Sequence, residues 1–168
     1  MSAEIVVATC AVVIALASLG VAVWQAHTTR EHNRRSVRPV LQLHRGTHEG
    51  ALSGIRLTNA GLGPALVVST HVTLDGELIG RWDKTCADRV RADLPTHLNA
   101  VTFGEGEVLP IGYSEYLLSL PAYDPHLHAS IADILSRRLA IAIHYESLYG
   151  GEGFRVALKP ATRRQRNP

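Results

Sequence analysis

Nine histidines in 168 residues are the first candidates for chemistry. His126-Leu127-His128, with Asp124 two residues upstream, gathers two imidazoles and a carboxylate in one short segment, a donor set suited to zinc. The spacing weakens that reading. Two histidines at i, i+2 converge on one ion only from an extended segment, whereas Pro125 and the apolar pattern that follows predict a loop or a helix start. His126 and His128 are therefore weak metal candidates, expected to be surface loop residues. His44 and His48 could meet only across a bend, and His71 and His144 fall on the polar faces of separate predicted strands. No paired cysteines and no H-E-x-x-H accompany them. The expectation is that the chain holds no metal and no cofactor.

Covalent chemistry fares no better. A G-x-S-x-G elbow is absent, and Cys86 lies on the apolar stripe of a predicted helix, where a buried, inert thiol is expected. Glu105 and Glu107 flank glycines in a predicted turn, without the apolar surround that would raise a carboxyl pKa. Gly61 and Gly63 lead into Pro64 and a strand, so no helix N-terminus is offered to a phosphate. Catalytic residues are not expected. A hydrolase or metal site built on the histidines remains the remote alternative.

The elements that would position these residues fall into two parts. Ile5 to Trp24 is a run of 20 uncharged positions; at 1.5 Å per residue it covers about 30 Å, the thickness of a bilayer core. A cleaved signal peptide would need a basic leader, yet the only charges before Ile5 are Glu4 and the amino terminus. Cleavage after Ala26 would place bulky Trp24 where a small residue belongs. Residues 5–25 are thus expected to be a membrane-spanning anchor preceded by a short extracytoplasmic N-terminus, 1–4. Trp24 suits the headgroup boundary. Arg30, Arg34, Arg35 and Arg38 follow the span and no Lys or Arg precedes it, which predicts that the downstream domain faces the cytoplasm. Cys10 in the span and Cys86 beyond it leave no disulfide within the domain, as suits a reducing compartment. Ala8, Ala11, Ala15, Ser18 and Ala22 recur at steps of three and four and form one small-residue seam, a helix-association face in lipid.

Residues 26–38, polar and basic, read as a juxtamembrane stalk that continues the helix for two or three turns until Pro39, with its arginines within reach of anionic lipid headgroups. Beyond them the period becomes two. Gly54–Asn59 alternates apolar and polar, and Leu66, Val68, Thr70, Val72 and Leu74 are expected to line one face of a longer strand. Asp75-Gly76 predicts a hairpin, since both turn positions need positive φ. Ile141, Ile143 and Tyr145, then Phe154, Val156 and Leu158 after Gly150-Gly151, predict a second hairpin. Val101–Phe103 and Tyr113–Leu118 read as further strands around a turn at Gly104-Glu105-Gly106. Asp83 caps a predicted helix carrying Cys86, Val90 and Leu94 and ending at Pro95; Leu127, Ile131, Ile134 and Leu135 mark a second. About seven short strands with one or two inserted helices predict a mainly β chain: an N-terminal transmembrane helix followed, over residues 39–160, by an antiparallel β-sandwich of immunoglobulin-like type.

Charge is segregated. Residues 46–160 hold nine Lys and Arg against thirteen Asp and Glu, while residues 161–168 form a basic tail with Arg163, Arg164 and Arg166. A net charge of +2 gives no uniform basic field, so nucleic acid is not an expected partner. The run Asn59-Ala60-Gly61-Leu62-Gly63-Pro64-Ala65 resembles a strand-to-strand turn of bacterial immunoglobulin-like modules. Together with the helix ending in Trp24, the basic stretch from Arg30 to Pro39 and the late Tyr145-Glu146-Ser147-Leu148-Tyr149-Gly150, the layout is similar to that of single-pass bacterial membrane proteins with a C-terminal immunoglobulin-like domain. The resemblance implies an architecture and no catalytic residues. The expected function is a non-enzymatic interaction or sensing module in the bacterial inner membrane, in contact with lipid and with a protein partner or a second copy through the helix. Its alternative is the same architecture facing the periplasm as an envelope module.

Overall fold

The structure is a computed structural model and describes residues 2–92, 94 and 96–161, without the side chains of residues 33–35. The side chains of Arg34 and Arg35, the helix stop expected at Pro95 and the tail arginines therefore lie outside the described residues. The chain divides into two compact units, residues 1–37 and 38–168.

The first unit is a single helix, α1 (Ala3–Ser36), 34 residues long. Its length, about 51 Å at 1.5 Å per residue, covers the predicted span and the stalk without a break, and Ala3–His32 is long and apolar enough to cross a membrane. Hydroxyls inside it are satisfied locally. Thr9 donates to the Ile5 carbonyl (2.8 Å), Ser18 to that of Ile14 (2.8 Å) and Thr28 to that of Trp24 (3.0 Å), each returning its donor to the preceding turn of its own helix.

The second unit is built from antiparallel sheets. Its elements in order are β1 (Leu41–Gly46), β2 (Ser53–Asn59), β3 (Ala65–Leu74), β4 (Glu77–Gly80), α2 (Lys84–Ala92), β5 (Asn99–Ala100), β6 (Val108–Leu109), β7 (Ser114–Leu120), α3 (Ala129–Asp133), a π turn (Ile134–Arg138), β8 (Leu139–Glu146) and β9 (Phe154–Leu158). One sheet has the order β1-β2-β7-β5. The other runs β4-β3-β8-β9, with β6 also on β3. Their inner faces share a single hydrophobic core: Ile55, Leu57 and Leu118 from one sheet and Val72, Ile141 and Ile143 from the other are wholly buried, with Trp82 among them. Each such side chain contributes roughly 1.5–3 kcal/mol of burial. Trp82 is held at both polar ends, its backbone N–H donating to Thr70 Oγ1 and its indole N–H to the Val101 carbonyl, both 2.8 Å.

Both predicted hairpins form. Asp75 (φ 55°) and Gly76 (φ 89°) supply the two positive φ values of a primed turn between β3 and β4. β8 alternates strictly, with Leu139, Ile141, Ile143 and Tyr145 buried, and pairs with β9 from Ile141↔Leu158 to Tyr145↔Phe154. Asp83 caps α2 as expected, its Oδ1 accepting the Cys86 N–H at 2.8 Å.

Several expectations are corrected. β3 does not keep Leu66, Val68, Thr70, Val72 and Leu74 on one face: Ala65 and Val67 are buried at its start, Thr70 and Val72 later, and Val68 is exposed. A bulge between Val67↔Tyr145 and Ser69↔His144 inserts Val68 as an unpaired residue and shifts the period by one. β7 carries a similar irregularity, which buries Leu117 and Leu118 together. Val101–Phe103 is not a strand; only Asn99–Ala100 pairs with β7. Strands β1 and β6 were not expected. Leu127, assigned to the apolar side of a helix, stands outside it and is 72% exposed, and the segment after Asp133 winds into the π turn.

Candidate functional site

Among the described residues, Asn59, where the domain begins, makes the largest set of side-chain hydrogen bonds. Asn59, 1% exposed, ends β2 with its side chain turned inward. Its Oδ1 accepts the N–H groups of Gly61 (3.1 Å) and Val40 (3.3 Å), and its Nδ2 donates to the carbonyls of Gly63 (2.9 Å), Leu109 (3.2 Å) and Pro110 (3.2 Å). One amide thus joins the chain entry, the β2–β3 turn and the β6–β7 turn. The backbone completes the clasp, with Ala60 N–H donating to the Val40 carbonyl (2.9 Å) and Leu62 N–H to that of Arg38 (3.1 Å). Gly61 is required by space: a Cβ there would meet the Val40 nitrogen at 2.3 Å and the Arg38 oxygen at 2.5 Å. The motif Asn59-x-Gly61-x-Gly63-Pro64 is a structural joint. Arg38 belongs to it as well, its guanidinium lying 4.7 Å from the centre of the Phe154 ring, a cation–π contact on the domain.

The other residues expected to meet lipid or a partner helix lie on α1. Trp24 and Arg30 are exposed there, and Ala8, Ala11, Ala15, Ser18 and Ala22 are all exposed along it. The Ser18 hydroxyl is returned to its own helix and presents no free donor to a neighbour.

His126 and His128 sit in the loop that enters α3, where Asp124 does the organising. Asp124 Oδ1 accepts the N–H groups of His126 (2.7 Å) and Leu127 (3.3 Å), and His128 Nδ1 accepts the Asp124 N–H at 2.9 Å. The His126 N–H, and then that of Leu127, hold the Asp124 carboxyl below its ordinary value. The carboxylate and one His128 nitrogen are occupied by backbone donors, which is a capping arrangement. No cluster of three or more metal-ligating side chains occurs among the described residues. His44 bonds Gln42 at 3.0 Å on β1, while the His48 backbone is tied to Ser53 in the β1–β2 turn.

Cys86 is buried in the core. Burial, reinforced by the nearby Asp83 charge, pushes its thiol up to about 11, so at neutral pH it is protonated and a poor nucleophile. Glu105 pairs with Arg81 at 3.0 Å, and Glu107 accepts the Gly104 N–H at 3.1 Å, fixing their turn. Asp75 receives two bonds from Arg138, 2.7 and 2.6 Å, which tie the β3–β4 hairpin to the π turn and hold the Asp75 carboxyl below its ordinary value.

What sequence reasoning kept apart, the sheet brings together. His71 on β3 and His144 on β8 meet edge-on with ring centres 5.6 Å apart. Ser69, His144 and Arg155 form one cross-strand row, paired Ser69↔His144 and His144↔Arg155. Only strand register could have revealed this, and the bulge at Val68 sets that register. No protein-family model matches the chain, and comparison with characterised proteins and with solved structures gave no match either.

Proposed function

We propose that this chain is a non-enzymatic, membrane-anchored interaction or sensing module of the bacterial inner membrane, with an immunoglobulin-like domain in the cytoplasm. The observation that carries the proposal is the sequence of elements itself: a helix of membrane-spanning length continuing through a basic stalk to Ser36, followed two residues later by a domain clasped at Arg38 and Val40. The strand orders β1-β2-β7-β5 and β4-β3-β8-β9 correspond to A-B-E-D and C′-C-F-G of an immunoglobulin sandwich. The domain departs from antibody domains in lacking an inter-sheet disulfide, since Cys86 is free and lies on α2, and in drawing its core tryptophan, Trp82, from beyond β4. Arg30, Arg34, Arg35 and Arg38 supply the inside-positive bias, and the Ala8–Ala22 seam supplies a face for a partner helix or a second copy.

Fusion of a reporter to the C-terminus tests the orientation. A fluorescent protein that matures only in the cytoplasm should be bright and a phosphatase that works only in the periplasm inactive; the reverse pattern would replace the cytoplasmic assignment with the periplasmic one. Loss of the protein from membranes washed in alkaline carbonate would remove the anchor itself.

A further inference from the structure

We propose that the outer face of the β4-β3-β8-β9 sheet carries an oxyanion site formed by Ser69, His71, His144 and Arg155, suited to a phosphate group. Ser69, His144 and Arg155 occupy a single row across three hydrogen-bonded strands. With neighbouring strands about 4.8 Å apart, the row spans about 10 Å, and the long arginine side chain can fold back toward the imidazole beside it. His71 lies one position further along the same face and touches the His144 ring. The four therefore share one patch of the outer face, which offers a hydroxyl, two imidazoles and a guanidinium, all able to donate hydrogen bonds.

Three observations favour an anion. Among the described residues none of these four side chains has a hydrogen-bonding or ionic partner, so their donors stand free on the sheet face, as those of Arg56 and Arg89 do elsewhere, whereas Arg81, Arg91, Arg137 and Arg138 are paired with carboxylates. The adjoining row is His71↔Ala142↔Ala157, two short side chains that leave the donors uncovered. The carboxylate closest along the strand, Glu146, is turned away to accept the Gly151 N–H at 2.9 Å. Arg155 directly beside His144 also argues against a metal ion held by the two imidazoles, because a fixed positive charge opposes a cation and assists an oxyanion. The phosphate could be free or belong to a lipid headgroup.

The test is carbethoxylation of histidines by diethyl pyrocarbonate, read residue by residue by mass spectrometry on the full chain in nanodiscs. In phosphatidylcholine discs, inorganic phosphate added at constant ionic strength against chloride should protect His71 and His144 and leave His44 and His126 reactive. Arg155→Gln should raise the phosphate needed for half-protection about tenfold, the loss of one charge-assisted bond, while Arg56→Gln on the other sheet should leave it unchanged. Protection in discs containing phosphatidylglycerol without added phosphate identifies the headgroup as the source, and protection by free phosphate alone identifies a soluble ligand. Protection of all histidines alike, protection by zinc but not phosphate, or none by either anion would overturn the site. The phosphate arm, repeated on the full chain in neutral detergent without lipid, does not depend on the membrane reading, which the carbonate wash tests separately.

Discussion

Replacing Asn59 by Ala removes five hydrogen bonds from the place where the domain begins. The carbonyls of Gly63 and Leu109 are buried with the amide and lose their donor without ready access to water, whereas that of Pro110, at an exposed turn, can exchange it at modest cost. The Gly61 N–H is buried as well and that of Val40 partly so, and each loses an acceptor beside a fixed backbone. At roughly 1–1.5 kcal/mol per orphaned donor, with a smaller contribution from the carbonyls, the expected loss is about 3 kcal/mol. For a domain of this size that lowers the melting temperature by about 10 °C and removes a large share of a typical total of about 5–15 kcal/mol. Asn59→Asp should lose still more. It keeps an acceptor for Val40 and Gly61 but presents a carboxylate, with no donor, to three carbonyl oxygens. Urea titration of the full chain in neutral detergent, followed by Trp82 fluorescence in a Trp24→Phe background, gives both values. A loss below about 1 kcal/mol for Ala, or an Asp variant more stable than the Ala variant, would refute the reasoning.

Gly61→Ala should destabilise by a comparable amount, because its Cβ meets backbone atoms that cannot turn aside, whereas Gly104→Ala, with open space around it, should change stability by under about 0.5 kcal/mol in the same titration. Cys86 should resist iodoacetamide in the native protein at pH 8 and react fully once urea unfolds the domain; rapid native labelling would contradict its burial. Asp75 has a depressed carboxyl pKa in the fold, so its contribution is complete above the ordinary aspartate value of about 4 and disappears as pH falls through the lower folded value. Asp75→Asn should therefore flatten the acid limb of the stability curve, and an unchanged limb would show the Arg138 pair to be thermodynamically silent. Enlarging Ala11 and Ala15 to Leu should reduce helix association in a membrane two-hybrid assay, with Val12 and Val13 to Leu as the control; equal effects would leave the seam without a role.

Local rules exposed the parts of the fold that local chemistry determines. Asp75-Gly76, the Asp83 cap and the alternation of Ile141, Ile143 and Tyr145 each state their conformation within a few residues, and each forms as expected. β3 defeated the same reasoning because one extra residue, Val68, inverts the pattern, and nothing in Leu66-Val67-Val68-Ser69 marks which residue is left unpaired. β1 was missed because Leu41-Gln42-Leu43-His44-Arg45 is an edge strand whose second apolar position is only half covered. The Asn59 motif was visible as a turn, but its role depends on carbonyls 50 and 51 residues away. The same holds for Ser69, His71, His144 and Arg155, whose neighbourhood exists only once three strands are in register.

The chain enters the domain beside Asn59 and the first residues of β1, and it leaves past the end of β9, where the Ala161 N–H bonds the Ser136 carbonyl at 2.7 Å. Those two points lie at opposite ends of the strands. If the helix holds one end while something grips the other, the tension runs along β1 and β9 and not across them. Six residue pairs between β1 and β2 and five between β8 and β9 must then give way together. Pulled in that direction the strands shear as a block and do not unzip pair by pair, so this topology resists tension along its strands up to a threshold.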